Sequence, residues 1–205
     1  MRWWGWLVDL CLVAACAAIA ASLTQDANWD QLQYHYWYPW QLFHGGFTDP
    51  DLYGGRFQNP LPQVPFYLIV NALQPQVAQA LLGGIAGIAV VLTRRIATWV
   101  LPYEGAWLLS TSTLAAVLGA VGAAFRSELG TSYADVWLAA LLLGGLLLTL
   151  RERPLLAGLL AGAAVGLKYT SAPFALAMVA AVLVIRWRSV LWWLLGAVLG
   201  AVVTG

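Results

Sequence analysis

The chain has 205 residues, of which 61% are hydrophobic and 9% charged, and its mean hydropathy is +0.76. Soluble domains carry about 25% charged residues, so this composition excludes an ordinary water-soluble domain and reads as an integral membrane protein. A net charge of +1 gives no electrostatic basis for binding nucleic acid.

A spanning helix needs about 20 mostly apolar residues, and somewhat fewer where the bilayer thins. The first candidate is 7–23. Arg2 ahead of it and Ala18-Ile19-Ala20 within it imitate a signal peptide and its cleavage site. Asp9 interrupts the apolar run and further apolar segments follow, so the sequence predicts a retained first helix. Cys11 and Cys16 lie in this helix about 7.5 Å apart along its axis, too far for an easy disulfide. Both read as buried small hydrophobes. A long non-spanning region, 24–74, follows and is rich in Asp, Asn, Gln, Pro and aromatics. The second span is 75–93, closed by Arg94-Arg95, and 96–104 reads as an interfacial connector. Spans three and four are 105–124 and 133–150. Past the charged turn Arg151-Glu152-Arg153-Pro154, segments 155–167 and 171–185 flank Lys168-Tyr169-Thr170 and read as two spans meeting at a polar tip. Arg186-Trp187-Arg188 closes that pair, and 190–204 begins one more span.

The fold class expected is therefore all-α and polytopic, with about seven transmembrane helices and a long first external loop carrying interfacial helices. We read 1–205 as one module, with 24–74 as a loop within it. Because Gly205 falls at an apolar helix, we expect the N-terminal part of a longer protein.

The basic residues orient the chain. With the N-terminus inside, Arg2, Arg94, Arg95, Arg151, Arg153, Arg186 and Arg188 fall on the cytoplasmic side, and only Arg56, Arg126 and Lys168 fall outside. Were 155–185 a single span, Arg186 and Arg188 would move outside. The same count gathers Asp26, Asp30, Asp49, Asp51, Glu128 and Asp135 on the external face. In a chain so poor in charge, this clustering is the main functional signal. It implies a multi-pass membrane protein with a cytoplasmic N-terminus and an external site.

The stretch WDQLQYHYWYPWQLFHGG, 29–46, holds both histidines of the chain. Asp30 and Tyr34 are four apart and share a helix face, which Trp37, Tyr38 and Gln41 extend. Leu32, Tyr36, Trp40 and Phe43 form a more lipid-like face, as suits a helix lying in the interface plane. Pro39 should kink or divide this helix, and Gly45-Gly46 should end it. An aromatic belt explains the tryptophans but does not require Asp30 or His35. Asp49-Pro50-Asp51 suits a turn or a hard-cation site. Arg56, ahead of Pro60 and Pro62, suits a phosphate or a solvated loop. Arg126 and Glu128 suit a surface pair, or with Asp135 a site at the start of the fourth span. Lys168 suits a lipid phosphate or a side chain reaching the headgroups. Gly158, Gly162 and Gly166, and again Gly196 and Gly200, have the spacing that lets helices pack closely. The chain has no metal-type Cys/His cluster, Gly-rich nucleotide loop or Ser-His-Asp signature.

Asp30-x-x-x-Tyr34-His35, directly after the first span, resembles the first-loop motif of the GT-C glycosyltransferases. These are polytopic enzymes that use polyprenyl-phosphate sugars; they include protein O-mannosyltransferases and the aminoarabinose transferases of lipid A. Segment 56–65 resembles the family's Pro-rich stretch before the second span. Glu128 and Asp135 resemble its second-loop acids, and GLLAGAAVGLKYTSAP, 158–173, resembles its Gly-rich helix ending in Lys. Asn59 departs from the family, which often has Lys before these prolines, and the family's variable C-terminal part is expected to lie beyond Gly205.

The resemblance implies a glycosyltransferase moving a sugar from a polyprenyl-phosphate donor to a lipid, glycan or protein acceptor at the external face. Asp30 would be the general base. Tyr34, His35, Arg56, Arg126 and Lys168 would bind substrate, and Glu128 and Asp135 could hold a divalent cation, Mg or Mn. Membrane lipids are the other expected partners, and nucleic acid is not one. A transporter or flippase for a lipid-linked molecule, and a non-catalytic assembly subunit, are the competing readings.

Overall fold

A computed structural model of the chain describes residues 2–24, 26–45 and 59–205. Every element among the described residues is helical. Helix α1 (Arg2–Ser22) unwinds where the sequence turns polar. One π-helical turn (Gln31–His35) leads into α2 (Trp37–His44), which ends at Gly45 with φ +98°. Pro65 and Pro75 open α3 (Val64–Ala72) and α4 (Pro75–Val100), in first-turn positions where a missing N–H costs nothing. Helices α5 (Gly105–Ala120), α6 (Ala123–Glu128), α7 (Asp135–Leu150), α8 (Pro154–Leu167), α9 (Ala172–Arg186) and α10 (Val190–Thr204) complete the chain.

Three stretches are long and apolar enough to cross a membrane: Trp3–Ser22, Pro75–Val100 and Tyr169–Thr204. The apolar helices Gly105–Ala120, Asp135–Leu150 and Pro154–Leu167 are shorter. The protein is thus all-helical among the described residues, and its long apolar helices make it membrane-embedded. The third stretch is not one rod, because a backbone break at Arg186 (φ -148°, ψ 56°) and the 3-10 turn Trp187–Ser189 separate α9 from α10. Contacts between α8 and α10 advance together: Gly158 lies against Trp193, Gly162 against Ala197, and Gly166 against Ala201 and Thr204. The two helices are therefore parallel, and α9 must return between them. Arg186 bonds Glu152, which fixes both turns at one end of the bundle. Reading 155–185 as a pair of helices agrees with this geometry.

Small residues set the remaining contacts. Gly83 and Gly87 admit Val13, Cys16 and Ala20 of an antiparallel α1. Gly145 of α7 packs on Ala157 and Ala161 of the following α8. Gly130 pairs a left-handed φ of +76° with close approach to Ala20 and to the Gln79 carbonyl, so the α6–α7 turn sits at the start of α4. Helices α4 and α7 accordingly run the same way.

Two sequence expectations change. Arg94-Arg95 do not close a helix: α4 continues to Val100, and only residues 101–104 connect it to α5. Arg94, 4% exposed, donates from Nε to Asp9 at 2.7 Å, while Arg95 bonds the other Asp9 oxygen and lies over the Trp6 ring. Burying a carboxylate and a guanidinium together is tolerable only because each satisfies the other, so the acid that interrupted the first apolar run is a staple between α1 and α4. In addition, Cys11 is exposed and only Cys16 is buried.

The bundle has two chemically distinct ends. One holds Arg94, Arg95, Arg151, Arg153, Arg186 and Arg188; the other holds Asp26, Asp30, His35, Glu128, Asp135 and Lys168.

Candidate functional site

The acidic end is assembled by the segment after α1, the α6–α7 turn and the α8–α9 tip. Asp26 accepts from the Asn28 side chain at 2.6 and 2.7 Å and from the Ser132 N–H at 2.9 Å. Asn28 also donates to Ser132 Oγ at 3.1 Å, and Ser132 Oγ meets His35 Nδ1 at 2.8 Å. These bonds tie the first loop to the α6–α7 turn. They also supply one hydrogen bond to a histidine that is only 4% exposed.

Asp30 stands beside this network. Tyr133 donates to it at 3.2 Å, and the Tyr34 hydroxyl bonds it as well. His35 fits edge-on between the two phenols, 4.6 Å from Tyr34 and 5.2 Å from Tyr133 between ring centroids. Burial depresses the His35 pKa to about 4, against the pull of Asp30, Asp26 and Asp135 and with help from Lys168; His35 is neutral at neutral pH. Burial first, and then the Asp30 carboxylate, raise both phenols above the usual range, so each remains a hydrogen-bond donor.

Lys168, at the break between α8 and α9, donates to both oxygens of Asp135 at 2.6 and 2.8 Å. Glu128 takes a backbone bond from Val136, which satisfies one free N–H of the first turn of α7. Its Oε2 is buried without a partner. Burial and the neighbouring Asp135 raise its pKa, partly offset by Lys168. Glu128 and Asp135 line a cavity of about 380 Å³ whose other walls include Val90, Ala116, Ala120 and Phe125. Glu128 and Tyr133 also line a smaller neighbouring cavity of about 210 Å³. Three titratable groups, Glu128, Asp135 and Tyr133, thus face largely apolar space.

The predicted residues divide accordingly. Asp30, Tyr34, His35, Glu128, Asp135 and Lys168 come together at this end. Arg126 is exposed and forms no ion pair with Glu128 among the described residues, so that pairing is not made. Arg56, Asp49 and Asp51 lie outside the described residues. His35 is central, with contacts to Tyr34, Tyr133 and Ser132. The break that Pro39 was expected to cause falls just before α2, and Pro39 itself sits buried in the first turn. Leu32 and Phe43 are exposed as the lipid-like face requires. Tyr36 on that face also donates to Asn71 at 2.8 Å and packs on Tyr67, so α3 cradles the segment.

Sequence reasoning missed Tyr133, Ser132 and Asn28, and named Asn59 only as a departure from the resembled family. Asn59, where the resembled family often has Lys, donates to the Gly166 and Thr204 carbonyls at 3.0 and 2.6 Å and clamps the ends of α8 and α10. Only the polar Thr131-Ser132-Tyr133 run before an apolar helix hinted at the first two. Comparison with protein-family models, with curated proteins and with solved structures finds no match for this chain.

Proposed function

We propose that the protein is an integral-membrane glycosyltransferase of the GT-C kind, with seven spanning helices, a cytoplasmic basic end and a periplasmic acidic end. It would transfer a sugar from a polyprenyl phosphate to a lipid, glycan or protein acceptor. The observation that carries this reading is the Asp30 carboxylate, held by Tyr34 and by Tyr133, the latter lining an apolar cavity at the same end of the bundle as Lys168.

In this mechanism the acceptor oxygen attacks the anomeric carbon, and its proton passes to Asp30. The bond from that carbon to the phosphate oxygen breaks, and the polyprenyl phosphate leaves with the electron pair. Tyr34 and Tyr133 hold the carboxylate in one orientation, which matters because general-base catalysis depends on geometry before basicity. Lys168 exchanges Asp135 for the departing phosphate and offsets its charge. Neutral His35, through Nε2, and exposed Arg126 are further hydrogen-bond partners for ligand polar groups, and Arg56 has the same expected role. Inversion at the anomeric carbon follows by analogy alone.

Glu128 and Asp135 fit a divalent cation poorly. Both Asp135 oxygens already bond Lys168, one Glu128 oxygen is used by Val136, and hard cations take six or more oxygens. No step is routed through a metal.

The test is transfer by the purified chain from defined polyprenyl-phosphate sugars. Asp30→Asn should reduce the rate by about 10²- to 10⁴-fold with abundance and helicity unchanged. A wild-type rate in that variant removes Asp30 from the mechanism. Counterflow of lipid-linked sugar in liposomes without any transfer replaces the enzyme with a flippase.

A further inference from the structure

At the opposite end of the bundle, the α7–α8 turn borders an open hollow of about 710 Å³ lined by Trp99, Leu148, Leu150, Arg151, Glu152, Arg153 and Leu156. Its floor is apolar and its rim is cationic. Arg151 and Arg153 are exposed, and neither forms an ion pair or side-chain hydrogen bond among the described residues. The carboxylate between them is already engaged, because Glu152 bonds Arg186 across the neighbouring turn. Glu152 has φ +61°, and no other non-glycine residue among those described has positive φ. Successive bonds from the N–H groups of Arg151, Glu152 and Arg153 to the carbonyls of Leu147, Thr149 and Leu148 hold it there. A strained backbone at a non-glycine residue persists only where its surroundings over-determine it. Here it accompanies a turn in which the one acid is paired elsewhere and two guanidiniums are left without a counter-charge.

We propose that this hollow is a binding site for an anionic membrane phospholipid. The headgroup phosphodiester would accept forked hydrogen bonds from Arg151 and Arg153, a geometry suited to guanidinium. The acyl chains would lie on Leu148 and Leu156, with Trp99 at headgroup level as interfacial tryptophans usually are. Charge complementarity selects this occupant: two uncompensated cations above an apolar floor match an amphiphile with an anionic head. The site lies away from Asp30 and stands whether or not the chain transfers sugar.

The experiment uses the full chain in neutral phosphatidylcholine nanodiscs, titrated with phosphatidylglycerol and read by native mass spectrometry and by thermal stability. R151Q/R153Q should bind phosphatidylglycerol at least tenfold more weakly, in keeping with the attraction of basic residues to anionic lipid surfaces. R188Q, at a neighbouring arginine outside the hollow, should bind as the wild type does. Equal affinity in R151Q/R153Q, or an equal loss in R188Q, overturns the proposal. Glycerol phosphate should not compete at millimolar concentration, since it lacks the apolar part; full competition would make this a free-phosphate site and overturn the lipid assignment. Should the double variant not fold, a photo-activatable phosphatidylglycerol on the wild-type chain should label Trp99 or residues 148–156. Labelling confined to other segments overturns the proposal equally.

Discussion

His35 illustrates how one buried side chain makes a site sensitive to pH. Its folded pKa of about 4 lies below the ordinary 6.5 because burial outweighs the attraction of Asp30, Asp26 and Asp135, with Lys168 adding to the depression. Between these values the unfolded chain takes up a proton that folded His35 resists. Its contribution to stability is therefore complete above pH 6.5 and is lost as pH falls toward 4, by at most about 1.4 kcal/mol per pH unit. Thermal unfolding followed from pH 7 to pH 4.5 should show a steeper loss for the wild type than for His35→Gln. Parallel curves would mean that the ring does not resist protonation. Asp30 was legible in the sequence because a carboxylate is conspicuous in an apolar chain. Its partner Tyr133 was not, since the two are 103 residues apart and nothing local to either one names the other.

At the scale of elements, the α8–α10 pair rests on glycine. A Cβ at Gly158 would overlap the Trp193 carbonyl oxygen, one at Gly162 the Ala197 carbonyl, and one at Gly196 or Gly200 the carbonyls of Leu155 and Leu159. Contact this close brings backbone against backbone, and a backbone cannot move aside as a flexible side chain can. Gly162→Ala should destabilise the bundle by about 1–3 kcal/mol, as overpacked cores do. Gly119→Ala, which meets no atom within 4 Å, should be neutral or gain up to about 1 kcal/mol from helix propensity. Equilibrium unfolding in mixed micelles distinguishes them, and equal effects would show that the zipper does not limit stability. The glycine spacing announced close packing in advance. It could not announce that α8 pairs with α10 in parallel, because the same spacing serves either direction and any partner.

For the whole molecule, the separation of basic and acidic ends is the feature on which orientation depends. After Cys11 and Cys16 are replaced by Ala, single cysteines at Tyr169 and Arg188 mark the two ends. Both positions are exposed. In sealed right-side-out vesicles, an impermeant thiol reagent should label Tyr169→Cys and spare Arg188→Cys. Labelling of both from one side would remove the alternating path through α8, α9 and α10 and with it the seven-span reading.

The sequence by itself determined the membrane class, the helical segments and the grouping of acids against arginines. Each follows from local composition: apolar length sets a helix, proline and glycine bound it, and charge marks its ends. Helix limits were missed where tertiary partners override local signals, as at Arg94, which Asp9 neutralises so that α4 runs on to Val100. Only the tertiary structure decided that Ser132 bonds His35, that Tyr133 bonds Asp30, that Lys168 is held by Asp135 and that Asn59 clamps two helix ends. Such contacts join residues distant in sequence, and which polar group finds which is settled by the packing of the helices between them.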